Sequence, residues 1–288
     1  MPAEEKKIKI IECPRDAMQG WKIFISTEKK VAYINQLLKV GFDTIDFGSF
    51  VSQKAIPQMA DTKEVVTQLF VVNTKSKLLS IVANERGAVE ATEFDAITYL
   101  GFPFSISPTF QMRNTNSTIE QSLETVKKIK NICDKHNKVP VVYISMAFGN
   151  PYKDPYDEEI VLKWVDKLVG EGITIISLAD TVGIAHPSQV ASITGKVIKL
   201  FPQIETGVHL HSTRKNWKEK IEAALQQGCM RFDGSLKGIG GCPMANDELV
   251  GNMDTEMLLA FFKELGYCEE IDTAAMEKCS SMATEIFA

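Results

Sequence analysis

The sequence predicts a parallel (β/α)8 barrel with a C-terminal helical extension, and two observations indicate this fold class. First, eight short runs rich in Ile, Val, Leu or Phe alternate with helical stretches at the spacing of crossover connections. Second, most of these runs lack the strict polar–apolar alternation of a sheet with one face in water. The predicted strands cover residues 9–13, 44–48, 77–83, 97–102, 140–146, 174–179, 206–211 and 231–236.

The stretches between the strands carry ordinary helix signals. The predicted helices cover residues 27–40, 119–136, 158–170, 187–200 and 217–227. Ser26 and Thr118 suit N-cap positions and Pro187 suits a first turn, while glycines follow or end several of the helices. The alternative, an open doubly wound sheet, would need a Gly-rich phosphate turn after an early strand, and Cys-Pro-Arg-Asp stands there instead. We therefore expect a single domain, with a barrel over about residues 8–265 and a helical tail over about 266–288.

Composition narrows the class of function. The 288 residues, 44% of them hydrophobic, are enough to bury a large core, and the net charge of −5 gives no basic surface for non-specific nucleic-acid binding. The longest apolar runs are too short to span a bilayer, the N-terminus carries acids that targeting peptides avoid, and the six cysteines form no CxxC motif. We expect a cytoplasmic protein that binds a small molecule, with neither nucleic acid nor membrane as a partner.

His209 and His211 form the most informative short motif. Residues spaced i, i+2 on a strand share one face, so two imidazoles at a strand end can bind one divalent metal ion. By spacing alone, a polar strand end is an equally good interpretation. A barrel, however, collects functional residues at the C-terminal ends of its strands, and other polar side chains follow that rule. They are Arg15, Asp16 and Gln19 after the first strand, Asp46 and Ser49 at the second, Ser177, Asp180 and Thr181 at the sixth, and Asn252 after the eighth.

Asp16, His209, His211 and Asn252 would offer two nitrogen and two oxygen ligands and no thiolate. This set favours Mg²⁺ or Mn²⁺ over a closed structural zinc site, and it leaves coordination positions for a substrate. Arg15 is a permanent cation that can stabilise a developing enolate oxygen. The glycine-rich segment 238–241 could carry Cys242 over the barrel mouth as a lid, although an inert buried thiol is the alternative for that cysteine.

Five segments of the chain resemble the metal-dependent lyase and aldolase superfamily of TIM barrels, and in particular the 3-hydroxy-3-methylglutaryl-CoA (HMG-CoA) lyases. The resemblance extends from about residue 9 to about residue 262. The segments are Glu-Cys-Pro-Arg-Asp-Ala-Met-Gln at 12–19, Ser-Phe-Val-Ser-Gln-Lys-Ala-Ile-Pro-Gln-Met at 49–59, Ser-Leu-Ala-Asp-Thr-Val-Gly at 177–183, His-Leu-His at 209–211, and Gly-Ile-Gly-Gly-Cys-Pro at 238–243 with Gly-Asn at 251–252.

The resemblance implies cleavage of HMG-CoA to acetoacetate and acetyl-CoA. It implies a divalent metal (Mg²⁺ or Mn²⁺) and an acyl-CoA substrate, and it makes a homodimer a reasonable expectation. The implied metal ligands are Asp16, His209, His211 and Asn252, the implied catalytic residues are Arg15, Cys242, His209 and Asp180, and the implied substrate contacts are Arg15, Gln19, Asp46, Ser49, Ser177 and Thr181. His209 is the candidate for moving the hydroxyl proton, with Asp180 and Asp46 as alternatives. Leucine degradation is one pathway in which such a lyase acts, and ketone-body chemistry is the other.

Some residues depart from the lyase pattern. Ala17 replaces a glycine, Asp46 stands where the lyases have glutamate, and residues 212–217 differ from the Asp-Thr-Tyr-Gly stretch after the histidine pair. The loop from Cys242 is one residue longer, so Asn246 is the fallback for Asn252. Two alternatives stay open: a related aldolase or Claisen-type synthase, and a non-catalytic barrel that keeps its metal site.

Overall fold

Eight parallel strands close into a barrel in the computed structural model, which describes residues 7–241 and 250–288. The strands are β1 Lys9–Glu12, β2 Thr44–Ser49, β3 Lys77–Ile81, β4 Ile97–Ser105, β5 Val139–Ser145, β6 Ile175–Asp180, β7 Glu205–Ser212 and β8 Arg231–Gly234. Each pairs in parallel with the next, and β8 pairs with β1, which closes the ring. The predicted (β/α)8 fold class is confirmed.

The helices surround the barrel and extend beyond it at the C-terminus. They are α1 Pro14–Gln19, α2 Thr27–Leu37, α3 Thr62–Val66, α4 Glu85–Thr92, α5 Pro108–Thr115, α6 Ile119–Lys135, α7 Glu158–Gly170, α8 Pro187–Leu200, α9 Trp217–Gln226, α10 Thr255–Glu264 and α11 Thr273–Ile286. The predicted caps are confirmed: the Ser26 side chain accepts from the third residue of α2, and Thr118 forms a capping box at α6. The C-terminal helix α11 packs against α2. The predicted single-domain division stays a prediction.

The observed strands differ from the predicted ranges by one to three residues at their ends, and for β1 and β8 the reason is local. β1 stops at Glu12 because Pro14 begins α1, and proline is favoured in the first helical turn. β8 was expected to run to residue 236 but ends at Gly234, because Leu236–Gly238 forms a 3₁₀ turn in which Lys237 has a φ of 65°. Because β1 and β8 end early, the chain leaves the barrel at its C-terminal rim, where the polar residues cluster.

Side chains fill the inside of the barrel. The apolar layer there is formed by Leu79, Tyr99, Val141, Tyr143 and Ile175. At the N-terminal ends of the strands, Glu205 accepts hydrogen bonds from Lys9 (2.5 Å) and Arg231 (3.1 Å), so ion pairs fill this end of the barrel. Because the interior is packed, a ligand site belongs at the C-terminal rim. Within residues 7–241 and 250–288, no helix is long and apolar enough for a membrane crossing.

A short antiparallel strand, β9 Gly251–Asn252, returns the chain to this rim. It pairs with β7 in a register that places Asn252 opposite His211. Gly240 packs closely beneath it: its φ is 112°, and a Cβ there would lie 2.4 Å from Asn252 Nδ2 and 3.0 Å from the Asp16 carbonyl oxygen. Glycine is therefore required for the backbone to approach Asn252 this closely.

Candidate active site

Asp16, His209 and His211 bring three potential metal-ligand atoms together at the rim, all within 4.8 Å of one another. Asp16 comes from α1, the short helix that begins directly after β1, and the two histidines come from the end of β7. These residues are about 195 positions apart in the chain, and their proximity was predicted because a barrel collects functional residues at the C-terminal ends of its strands. The arrangement is a His/Asp cluster that can hold a metal ion.

His209 is oriented by a carboxylate behind it. Its Nδ1 lies 3.1 Å from Oδ2 of Asp233, a buried residue on β8. Burial lowers the pKa of His209, but the Asp233 hydrogen bond and charge outweigh it, so the pKa is raised overall. With Nδ1 engaged by Asp233, Nε2 is the nitrogen left for a metal ion, and this carboxylate–imidazole pairing is typical of metal-binding histidines.

His211 has the opposite electrostatics. Burial and the neighbouring His209 lower the pKa of His211 to about 4, so its imidazole stays neutral at physiological pH, which is the form that binds metals. A hydrogen bond with the Thr181 backbone acts against this shift, as expected where the ring donates to a carbonyl. Nε2 of His211 is buried and has no hydrogen-bond partner among the described residues. A buried, unpartnered imidazole nitrogen beside Asp16 is the observation that fits a cation at this position.

Asn252 completes the predicted ligand set. Its Nδ2 donates to Oδ2 of Asp16 (2.7 Å) and to the Ile239 carbonyl (3.0 Å). The other Asp16 oxygen accepts hydrogen bonds from Gln19 (2.6 Å) and Arg15 (3.1 Å). Burial raises the pKa of Asp16, but Arg15 and the two histidines outweigh it and keep the pKa below its usual value. The structure thus brings Asp16, His209, His211 and Asn252 together.

Arg15 is held in one orientation by its neighbours. Nε and Nη2 donate to both oxygens of Asp46, and Nη1 donates to Asp16 and to Gln19 (2.9 Å). These bonds use four of the five guanidinium N–H groups and leave one Nη2 N–H, as far as the described residues show. Burial raises the pKa of Asp46 to about 6 although Arg15 opposes the shift.

Of three further residues predicted as substrate contacts, Ser49 and Thr181 engage the protein itself, whereas the buried Ser177 hydroxyl has no hydrogen-bond partner among the described residues. The Ser49 hydroxyl donates to the Ile81 carbonyl at the end of β3 (3.3 Å), and the Thr181 hydroxyl accepts from the backbone N–H of Met146 (2.9 Å). Ser177 pairs in register with Gly207, two residues before His209 on β7, so it lies one layer deeper in the barrel.

The remaining predicted catalytic residues are differently placed. Asp180 accepts hydrogen bonds from Lys220 Nζ (2.7 Å) and from the Ala185 N–H (3.1 Å), so both of its oxygens are engaged by the protein. Cys242, like the fallback ligand Asn246, lies outside the described residues. Segment 238–241 is described and packs against Asn252 and α1.

Comparison with known proteins assigns the family. The HMGL-like family model matches residues 7–283. The chain belongs to the HMGL-like family. The hydroxymethylglutaryl-CoA lyase YngG of Bacillus subtilis is 34% identical over 264 residues, which cover 90% of this chain and 86% of that protein. The (R)-citramalyl-CoA lyase of Chloroflexus aurantiacus is 30% identical over 272 residues, covering 91% and 85%.

Solved structures give the same assignment for this HMGL-like chain. An HMG-CoA lyase from Acinetobacter baumannii, in complex with coenzyme A and 3-methylmalate, has a TM-score of 0.91 and 33% identity, and the match covers 100% of this chain and 93% of that one. The carboxyl transferase domain of Rhizobium etli pyruvate carboxylase has a TM-score of 0.73 at 13% identity, so it shares the fold alone.

Two residues of this HMGL-like protein that sequence reasoning missed support the histidine pair. Asp233 stands two residues after Arg231 on β8, so strand alternation could have placed it inside the barrel. Lys220, which binds Asp180, gave no such signal: it lies in α9 with Lys218 and Glu219 nearby, a composition typical of a solvent-facing helix surface.

Proposed function

We propose that this protein is an HMG-CoA lyase, which breaks the C2–C3 bond of 3-hydroxy-3-methylglutaryl-CoA to give acetyl-CoA and acetoacetate. The observation that carries the proposal is the buried Nε2 of His211, which has no partner in the described part of this HMGL-like chain and belongs to a cluster with Asp16 and His209. It fits a rim built to hold a cation against a substrate oxygen.

Asp16, His209, His211 and Asn252 would hold the divalent metal, and the oxygen-and-imidazole set with no thiolate favours Mg²⁺ or Mn²⁺. When bound, the metal would supply Lewis-acid polarisation of the substrate's C3 hydroxyl and acyl oxygens. The neutral imidazole of His211 suits this role because it needs no deprotonation before binding.

Arg15 is the proposed stabiliser of the enolate. Loss of the C3 hydroxyl proton lets the C3–O bond become a carbonyl, the C2–C3 electron pair moves to C2, and the charge develops on the thioester oxygen. Among the described residues, Asp46, Asp16 and Gln19 leave one Nη2 N–H of Arg15 available, and this group would donate to that oxygen. Asp46 and Gln19 thus contribute by fixing the guanidinium before the reaction begins.

We rank the three candidates for removing the hydroxyl proton by the contacts that each one makes. Asp180 is engaged by Lys220, and both oxygens of Asp46 accept from Arg15, so His209 with Asp233 behind it is the preferred group. His209 is also a proposed metal ligand, and because one imidazole nitrogen cannot hold a cation and a proton together, ligand and base would be alternative roles for its Nε2. Cys242 is assigned to assist proton transfer and to exclude water, as the resemblance implied.

Several finer predictions remain with this proposal. They are direct substrate contacts by Ser49, Ser177 and Thr181, a homodimer, a cytoplasmic location and a part in leucine degradation. An acyl-CoA substrate is supported by the coenzyme A in the Acinetobacter baumannii lyase structure.

The test is acetoacetate release from HMG-CoA by the purified protein with Mg²⁺ or Mn²⁺, and again after chelation. (R)-Citramalyl-CoA is the matched second substrate, because a relative of similar identity is named for it; cleavage of that thioester would release pyruvate. Metal-dependent acetoacetate release supports the proposal. Pyruvate release alone would reassign the substrate, and metal binding with turnover of neither thioester would favour a non-catalytic barrel.

A further inference from the structure

Lys220 is a buried cation directly behind the metal-site rim. Only 1% of its surface is exposed, although it lies on a helix whose sequence is charged. Its ammonium donates to Oδ2 of Asp180 (2.7 Å), to the His211 carbonyl (2.8 Å) and to the Gly183 carbonyl (3.3 Å). Three acceptors match the three N–H donors of an ammonium group.

All three acceptors belong to two adjacent segments of the rim. Asp180 ends β6, and Gly183 lies in the turn that follows, with a φ of 72°. The second Asp180 oxygen accepts from the Ala185 N–H, so the carboxylate stabilises the turn from within, and Lys220 binds the same carboxylate from outside the turn. The third acceptor, the carbonyl of His211, is on β7. Lys220 therefore ties this turn to the backbone of a proposed metal ligand.

The same turn also holds the His211 ring, through the hydrogen bond with the Thr181 backbone. The contacts form a closed loop that runs from Lys220 to the His211 backbone, through the ring to Thr181, and back through Asp180. Because Nε2 of His211 is buried without a partner among residues 7–241 and 250–288, Nδ1 is the ring nitrogen left for the Thr181 contact, and a ring that donates from Nδ1 presents an unprotonated Nε2.

We propose that Lys220 is the positioning residue of the His211 ligand: it fixes both the backbone and the tautomer that direct Nε2 at the cation. The inference rests on the proposed function only in taking a divalent metal as the ligand of the rim. A purely stabilising role is a weaker explanation, because a buried ion pair often adds little net stability over apolar residues of similar size. The Lys220–Asp180 pair would instead act by fixing the position of the His211 backbone and ring.

The test uses Lys220→Met in the full-length protein, with two readouts. The first is the Kd for Mn²⁺, from electron paramagnetic resonance of free Mn²⁺; we expect a rise of about 10- to 100-fold, as for other residues that orient metal ligands. The second is the ¹⁵N spectrum of the imidazoles in the metal-free protein, where the chain's four histidines keep assignment simple. We expect His211 to change from one tautomer, with the proton on Nδ1, to a mixture.

Lys220→Met/Asp180→Asn covers the case in which the single variant fails to fold, because it leaves no unpaired buried carboxylate. It should show the same weakened Mn²⁺ binding and mixed tautomers. Lys30→Met is the matched control: Lys30 is equally buried and donates to Asp61 and to the Gln58 carbonyl, away from the histidines. Its Mn²⁺ Kd should stay within about threefold of the wild-type value.

Three outcomes would overturn the inference: a wild-type Mn²⁺ Kd in the Lys220 variants, an unchanged His211 tautomer, or an equal loss of affinity in Lys30→Met. None of these readouts requires turnover. A protein that binds Mn²⁺ without cleaving HMG-CoA would refute the proposed function and leave this inference standing. If the wild type bound no Mn²⁺, the divalent cation that the inference takes as the ligand would be absent, and the inference would be overturned as well.

Discussion

Replacing Glu12 with glutamine is expected to stabilise the protein by an amount that grows with pH. Glu12 ends β1 and is fully buried; its oxygens accept hydrogen bonds from the Leu236 N–H (3.0 Å) and the Thr255 hydroxyl (2.5 Å). Burial raises the pKa of Glu12 from 4.5 to about 8, since these two hydrogen bonds only partly offset the loss of solvation. Glutamine has the shape of the protonated acid: its oxygen can still accept from the Leu236 N–H, and its amide N–H can donate to the Thr255 hydroxyl oxygen in place of the bond that Thr255 now donates.

The sign follows from proton counting. Between pH 4.5 and about 8 the unfolded chain has lost the Glu12 proton while the folded chain keeps it, so the folded state loses stability as pH rises. The loss is about 1.4 kcal/mol per pH unit, and it reaches an upper limit of about 5 kcal/mol near pH 8. Below the unfolded-state pKa both states are protonated and the contribution vanishes.

Guanidinium unfolding of the wild type and Glu12→Gln between pH 5.5 and 9 measures this difference. The variant should gain on the wild type steadily up to about pH 8 and then run parallel to it. Glu120→Gln, on the exposed face of α6, is the control and should keep a constant offset. A constant offset for Glu12→Gln as well would mean that the buried carboxyl is ionised in the folded protein, and the reasoning would be wrong.

Two further substitutions test the site. Arg15→Met should lower HMG-CoA turnover by about 10²- to 10³-fold in steady-state assays, because the enolate loses its donor. The Mn²⁺ Kd should barely change, since Gln19 and Asn252 still hold Asp16. Near-normal turnover of this variant would contradict the mechanism. Gly240→Ala should raise the Mn²⁺ Kd about tenfold by displacing Asn252. Unchanged affinity there would remove Asn252 from the ligand set.

The barrel could be predicted because its strands are short, mostly rich in apolar residues and separated by capped helices. Prediction from the sequence was weakest where the end of a strand depends on the following turn. At β8, Lys237 adopts a left-handed backbone conformation, which a lysine in the sequence does not indicate. Segments such as α1 escaped prediction because a six-residue helix shows too little periodicity.

The residues of the site could be nominated from their positions at strand ends, but their partners could not. Asp180 was nominated as a catalytic group, and nothing in the sequence around Lys220 indicates that this helix lysine binds it. Asp46 likewise reads as a free carboxylate until the structure shows both of its oxygens on Arg15. Pairings across more than 30 residues depend on how helices dock on the barrel, which side-chain periodicity does not encode.

These pairings explain why the rim attracts a cation. Lys220 neutralises Asp180, so that pair adds no net charge to the rim. Around the neutral His211, Arg15 is paired with the carboxylates of Asp16 and Asp46, and the Asp233 carboxylate lies against His209, so acidic groups outnumber cations in the described part of this site and leave a negative charge. A divalent metal ion would cancel that charge, and in a buried site such cancellation is worth far more than at the surface. The same balance explains why His209 has a raised pKa: a proton on its ring supplies part of the positive charge that the carboxylates favour.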